Sequence, residues 1–486
     1  MVRLGMITNK IDYKVYSNKP FAIWANSRII NERLSANSYN QDYLDFAKAK
    51  NTFNFKKVSD IARVTAMIGW KGLTTDDYVD EDGVYLLRTV DIKDNYIDLE
   101  NAVMAKREKV YEQPQIILKQ GDIIFSKDGT LGITAIVPRH QNKEMCVGST
   151  LARIRLNSNL DNYYVCAAFM SKIVQAQIGY FTSGIAQPHI TQEYINKLEI
   201  PIPSPEIQKY IGDKVRKAEE LREEAKRLKK EAEEILNNEL NVKELLIKID
   251  RYTEKHSWIM NSDINDRMDA LYYNPQKITI KKFYKNYNLQ KLKDLVDYKK
   301  GYAFKSEDYC NNTSTFLLRV SDISNNEVDM CNMLNLPDEF YQEYKDFNLI
   351  NGDIVMVVTG NTTGKSIVIN NNKFKLLLNQ NAIRMRIKEG IDISPYYIEL
   401  ILQSQYFQTL LKYSLYQSVQ PFISMEFLND VVIPIIDKTK IENISNLYEK
   451  SLNNLFYAKQ LIQEAKQDVE DLIEGNFDMS KVKANS

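Results

Sequence analysis

The segment GNTTGKS, Gly360 to Ser366, is the first stretch whose residue types suggest chemistry. It follows an apolar run, DIVMVV, and ends in Lys-Ser, as a phosphate-binding loop does. Such a loop needs four residues between its glycines so that successive N–H groups can wrap a phosphate. Here there are three, so the spacing favours a tight glycine turn between strands. The three histidines, His140, His189 and His256, are not spaced as a zinc pair. His189 stands where a related segment has Phe422, which points to packing rather than ligation. The four cysteines, Cys146, Cys166, Cys310 and Cys331, form no CxxC pair and read as reduced thiols of an intracellular protein. No carboxylate pair stands out as acid and base. Asp122 and Asp353 follow glycines ahead of apolar strands, where turn-forming Asp is expected. No catalytic or metal-binding residue is therefore assigned.

The remaining candidates suit recognition of nucleic acid, where donors and acceptors on protruding loops read bases and Lys, Arg and hydroxyls hold phosphates. Three loop pairs qualify. One follows the first strand of each reader: Trp70, Lys71 and Thr74, against Lys300, Tyr302 and Lys305. The second is the glycine turn: Lys127, Asp128 and Thr130, against Thr359, Asn361 and Lys365. The third precedes a Gln-Pro element: Thr182, Ser183 and Gln187, against Gln417, Ser418 and Gln420. Lys+Arg and Asp+Glu balance at 64 each, which argues against a protein that coats nucleic acid non-specifically and predicts weak binding by the isolated chain.

These loops come in pairs because the chain is written twice. Trp24 matches Trp258, INERL from Ile30 matches INDRM from Ile264, and Tyr39-Asn40 matches Tyr273-Asn274. LLRTVDI from Leu86 returns as LLRVSDI from Leu317, and GDIIFSKDGTLG from Gly121 returns as GDIVMVVTGNTTG from Gly352. Arg153 and Arg155 recur as Arg384 and Arg386, QPHIT from Gln187 as QPFIS from Gln420, and Ile200-Pro201 as Ile433-Pro434. An ordered series at one offset, about 230 residues, marks a duplicated domain. The first 20 or so residues have no counterpart in the repeat.

Each copy opens with short strand-like runs punctuated by Asp-Gly and Asn-Gly turns and ends in a long helix. In copy two Ile441, Ile444, Tyr448, Ser451, Leu455, Ala458, Ile462, Ala465, Val469 and Leu472 keep three–four spacing. Ala218, Leu221, Ala225, Leu228, Ala232 and Ile235 do so in copy one. The mixed charges from Lys209 to Glu234 suit a solvated flank. Two matching helices in one chain most economically pair with each other, antiparallel. The expected fold is α+β, pseudo-twofold: an N-terminal segment 1–23, a β-rich domain 24–203, a helix 204–250, a second domain 251–436, a helix 437–475 and a tail 476–486. The N-terminus lacks a signal-peptide core and no apolar run approaches the roughly 18 residues that span a bilayer, so a cytoplasmic location is expected.

The order of segments resembles the specificity subunits of Type I restriction–modification systems. The resemblance rests on Gly121, Asp122, Ser126, Gly129 and Gly132 with their repeat from Gly352, on the Gln-Pro-x-Ile elements at 187–190 and 420–423, and on the run from Ile200 to Gln208 into a helix. Copy two departs where Val357 replaces Ser126 and where VVIPIIDKTKIE lacks the later prolines and Gln. The resemblance implies two target recognition domains, each reading half of an asymmetric bipartite site on double-stranded DNA, with helices as spacer. It further implies two methyltransferase subunits docked on the helices, and restriction (translocase) subunits joining the complex. S-adenosylmethionine and ATP would sit on those partners, with no cofactor in this chain, and no NPPY-like tetrapeptide or cofactor loop is present in the sequence. The alternatives are a protein-interaction scaffold and a DNA reader of another modification or defence system.

Overall fold

A computed structural model describes residues 40–68, 72–93, 95–138, 142–184, 187–250, 259–260, 264, 272–324, 327–328, 333–370, 374–415 and 421–484. The segment 1–23, the Trp24/Trp258 match, and Trp70, Lys71, Gln417, Ser418 and Gln420 lie outside them. The chain divides into two compact units, residues 1–222 with 456–486, and residues 223–455.

Each unit repeats one design. Asn40 caps the helix Gln41–Ala49 in the first, and Asn274 caps Pro275–Phe283 in the second, each side chain accepting an N–H of the first turn. A four-stranded antiparallel sheet follows. Its strand order is Ala62–Ala66, Leu151–Leu156, Ile123–Ser126, Thr134–Ile136 in the first unit, and Val296–Lys300, Ala382–Ile387, Ile354–Val357, Ser366–Val368 in the second. The runs IIFS and IVMV are buried throughout because both faces of the strand are covered. Ile123 and Phe125 join the core under the helices, while Ile124 joins the core against a second sheet. Ile354 and Met356 divide from Val355 and Val357 in the same way.

The second sheet pairs Val84–Leu87 with Met145–Val147 in parallel and with Val103–Ala105 antiparallel. Its counterpart pairs Thr315–Leu318 with Lys375–Leu378 and Leu334–Leu336. The copies differ at the edges. Tyr78–Val79 extends the sheet on one side in the first, and Asn348–Leu349 on the other side in the second. Gly121 and Gly352 lead into the central strand at φ +81° and +87°, a left-handed turn that glycine adopts without strain.

The long helices are Pro205–Glu239 and Lys438–Glu474. In the first unit Lys214 pairs with Asp468 at 2.6 Å and Glu464 at 3.3 Å, and Tyr210 meets Phe477. In the second, Ser451 donates to the Ala225 carbonyl at 2.7 Å and Lys440 reaches Glu239. Within each unit the residue numbers run in opposite senses, so the pairing is antiparallel. Ala218, Ala225, Leu228 and Ala232 are buried on the seam, as are Ile441, Ile444, Tyr448, Ser451, Ala458, Ile462, Ala465 and Val469. Leu221, Ile235, Leu455 and Leu472 are only half-buried, with Arg222, Leu236 and Ile473 turned further inward. The stripe follows the 3.6-residue period rather than a strict heptad, because each half-helix also packs on the helices of its own unit. The charged flank is solvated, with Arg227 held by Glu224 and Glu231 and Lys229 by Glu233.

Two expected boundaries shift. The helix expected over 204–250 is two helices, broken where Asn241 turns at φ +49° before Val242–Asp250. The tail expected from 476 contains the helix Ser480–Ala484, and Lys481 pairs with Asp468 at 3.3 Å.

Candidate nucleic-acid interface

The strand Ile123–Ser126 ends in the glycine turn, and the turn closes on itself. Gly132 N–H returns to the Ser126 carbonyl at 3.0 Å. The Ser126 hydroxyl donates to the Thr130 carbonyl at 2.6 Å and accepts Ile133 N–H at 2.8 Å. Val357 has no hydroxyl to do this. In copy two Thr363 takes the role, donating to the carbonyls of Gly360 at 2.6 Å and Pro421 at 3.1 Å. Gly129 and Gly360, at φ +75° and +112°, carry the tips. Around GNTTGKS the N–H groups of Gly360, Thr363, Gly364 and Lys365 donate to Pro421, Gly360, Val357 and Thr362. Those donors are committed to carbonyls, and the segment joins two strands rather than a strand and a helix, so it is no phosphate cradle.

The Gln-Pro elements dock beside these turns. In copy one Asp128 bridges His189, Gly129 N–H donates to the Pro188 carbonyl at 3.0 Å and Ile190 N–H to the Lys127 carbonyl at 3.0 Å. In copy two Thr359 bridges Phe422, Gly360 N–H reaches Pro421 at 3.2 Å and Ile423 N–H the Val358 carbonyl at 2.9 Å. The second and third loops thus form one surface in each copy. The helix behind holds it: Gln175 donates to the Gly132 carbonyl at 3.0 Å, and Gln408 to the Gly364 carbonyl at 3.3 Å.

On this surface Thr130, Ser183, Gln187, Asn361 and Lys365 are exposed. Ser183 exchanges backbone bonds with His189, and Thr182 spends its hydroxyl on the Ile178 carbonyl at 2.7 Å. Lys127 is only 15% exposed and pairs with Asp128 at 2.7 Å, so it is not the free cation its position in the sequence suggests. Asp128 also receives the His189 Nδ1 edge. Partial burial pushes the Asp128 carboxyl up, but Lys127 and His189 outweigh it and hold it below the usual carboxylate range. His189, expected as packing, instead stands 39% exposed beside the Asp128 carboxylate. The signal for it was its match to Phe422, which marks a position on the reading face rather than in a core.

The first loop joins in part. Lys300 lines an open cavity of about 420 Å³ with Thr359 and Phe422. Tyr302 stacks among Phe304, Tyr344 and Phe347. Thr74 and Lys305 cap equivalent short helices through Asp77 and Asp308. The Thr74 N–H, and then its hydroxyl, keep the Asp77 carboxyl below its usual range against slight burial.

The duplicated arginines hold the frame rather than the ligand. Arg155 grips Asp122 two-handed at 2.6 Å and 2.6 Å, and Arg386 grips Asp353 at 2.7 Å and 2.7 Å. Arg153 and Arg384 donate to the carbonyls of Ile117 and Asn348. Burial pushes the Cys146 and Cys166 thiols up to about 12, as befits packed rather than reactive sulfur.

Residues 50–234 and 284–457 match the family model for the Type I restriction modification DNA specificity domain. The Type I restriction enzyme MjaVIII specificity subunit of Methanocaldococcus jannaschii is 22% identical over 392 residues, 77% of this chain and 83% of its own length. Among solved structures, the S subunit of a Type I restriction–modification system from M. genitalium aligns over 89% of this chain and 96% of its own, at 13% identity and a TM-score of 0.39. The HsdS subunit from Thermoanaerobacter tengcongensis aligns over 87% and 97%, at 13% identity and a TM-score of 0.29. The two segments matched by the family model fill well over half of the chain and fall one on each copy of the repeat, and the chain belongs to the Type I restriction modification DNA specificity family.

Proposed function

We propose that this chain is the DNA-recognition subunit of a Type I restriction–modification complex. The observation that carries this, beside the family match, is the loop surface built twice: a glycine turn braced by a Gln-Pro element, with different side chains at equivalent positions. Two unlike readers in one chain suit two unlike half-sites. On each surface Thr130, Ser183 and Gln187, or Thr359, Asn361 and Lys365, meet DNA, and Lys300 joins the second. Trp70, Lys71, Gln417, Ser418 and Gln420, which lie outside the described residues, are candidates for further DNA contacts on their sequence positions. The chain is non-catalytic. Two methyltransferase subunits dock on the long helices and supply S-adenosylmethionine chemistry, restriction subunits supply ATP-driven translocation, and the complex works in the cytoplasm. The length of the helices sets the unread gap between half-sites.

The test is to co-express the chain with the methyltransferase encoded beside it and map methylated bases by long-read sequencing. A single bipartite, asymmetric motif with a methylated adenine in each half is expected. A stable complex that leaves no motif would sink the assignment in favour of a protein-binding scaffold.

A further inference from the structure

The two reading faces differ in chemistry at matched positions. Copy one presents Lys127, Asp128 and His189, a polar chain centred on the Asp128 carboxylate. The register puts Val358, Thr359 and Phe422 in those places in copy two. There they line the open cavity of about 420 Å³ together with Ile383, Met425 and Lys300. Phe422 is 39% exposed and Met425 45%. Large apolar side chains gathered at one exposed spot mark a binding surface more often than chance scatter.

Three features fix the occupant. The cavity is continuous with the turn Gly360–Gly364, the face that the proposed function turns to DNA. Its one charged lining residue is the cation Lys300, and Lys365, directly after Gly364, is exposed as well, which suits a polyanion. In the major groove DNA offers one apolar group to such a surface, the C5-methyl of thymine, and apolar side chains and threonine methyls are its usual contacts.

We propose that the cavity of the second reader takes the C5-methyl of a thymine, so that Thr359, Phe422 and Met425 select a T·A pair at one position of one half-site. The inference rests on the DNA-reading assignment above. Copy one, with Asp128 in place of Thr359, makes no such selection, and its acidic acceptor suits the amino group of cytosine or adenine instead.

The test uses the assembled complex of this chain and its methyltransferase, and duplexes carrying the mapped motif. Each thymine is replaced in turn by deoxyuridine, which removes only the methyl. One thymine, in one half-site, is expected to lose about three- to ten-fold in affinity, the scale of one or two buried methyl-sized groups. In Phe422→Ala and Met425→Ala complexes that loss should disappear, while deoxyuridine and thymine in the other half-site are treated as by the wild type. Met425→Leu, which keeps an apolar side chain, should retain the discrimination and so guards against a misfolded variant. The proposal is overturned if no thymine is sensitive to its methyl. It is also overturned if the sensitive thymine responds to His189→Ala and not to Phe422→Ala. A complex with no sequence-specific binding would remove the DNA-reading assignment itself, a result distinct from specific binding that ignores the methyl.

Discussion

Asp122 and Asp353 each accept both arms of an arginine and a backbone N–H, from Lys119 at 2.7 Å and Ile350 at 2.8 Å. Their side chains are 2% and 1% exposed, so each carboxylate depends on its arginine for compensation. Arg155→Ala is expected to cost about 3 kcal/mol in urea unfolding, because it leaves a buried charge behind. Lys365 stands in contrast: it is exposed and makes no ion pair among the described residues. Lys365→Ala should weaken DNA binding about equally across sequences and lower the slope of log affinity against log salt by about one. Lys127→Ala should instead act through Asp128 and His189, altering which sequences are preferred more than the salt slope. Titration of binding at several salt concentrations separates the two. The sequence marks all four carboxylates and lysines as turn residues. It does not show that Arg155 stands opposite Asp122, since the partners lie on neighbouring strands and meet only through sheet register.

At the level of elements, the long helices were legible because apolar period and helix period coincide over many turns. The details of the seam were less so. A heptad assumes a single partner, whereas Leu236 and Ile473 are drawn in by the helices and strands of their own units. Where small residues allow close approach, enlargement should hurt: Ala225→Leu, at the carbonyl that receives Ser451, is expected to cost about 1–3 kcal/mol by thermal melting. Glu399 was not legible at all, since it lies in an apolar helical run, Pro395–Gln403, and reads as a surface residue. It is fully buried, bonded to Ser366 at 3.2 Å and to Gln403, with Oε2 left unpaired, where copy one has the smaller Cys166 beside Thr134. Burial pushes its carboxyl up to about 7, against the opposing pull of Tyr448, Gln403, Lys229 and Ser366. Below about pH 4.5 the group is protonated in folded and unfolded chains alike. From there to about pH 7 only the unfolded chain ionises, so stability falls as pH rises and then levels off, by up to about 3 kcal/mol. Glu399→Gln should flatten that slope in melts taken from about pH 5 to about pH 8.

For the whole molecule, duplication was the most legible property, because eight matches in one order survive any error about a single strand. The pairing of strands within each copy was not, since the runs are two to six residues long and their partners distant. The reading faces fell between these extremes: the loops were found, but which of their side chains are spent internally depends on contacts such as Gly129 to Pro188 across the turn. Mapping methylation with copy one's turn altered, by Asp128→Asn, should change one half of the motif and leave the other intact, since the equivalent position in copy two is Thr359.

The division of the chain also dictates an order of assembly. The second unit is one continuous stretch, 223–455, whereas the first needs residues up to 222 and again from 456. On the ribosome the first reader is therefore made early yet completed late. Ile211, Val215 and Ala218 lack part of their cover until Ala458, Ile462, Ala465 and Val469 have been synthesised, after the whole of the second unit. The nascent chain thus carries an incompletely covered core for more than two hundred residues of translation, and the helix that completes it doubles as the seal on a domain begun before the second unit.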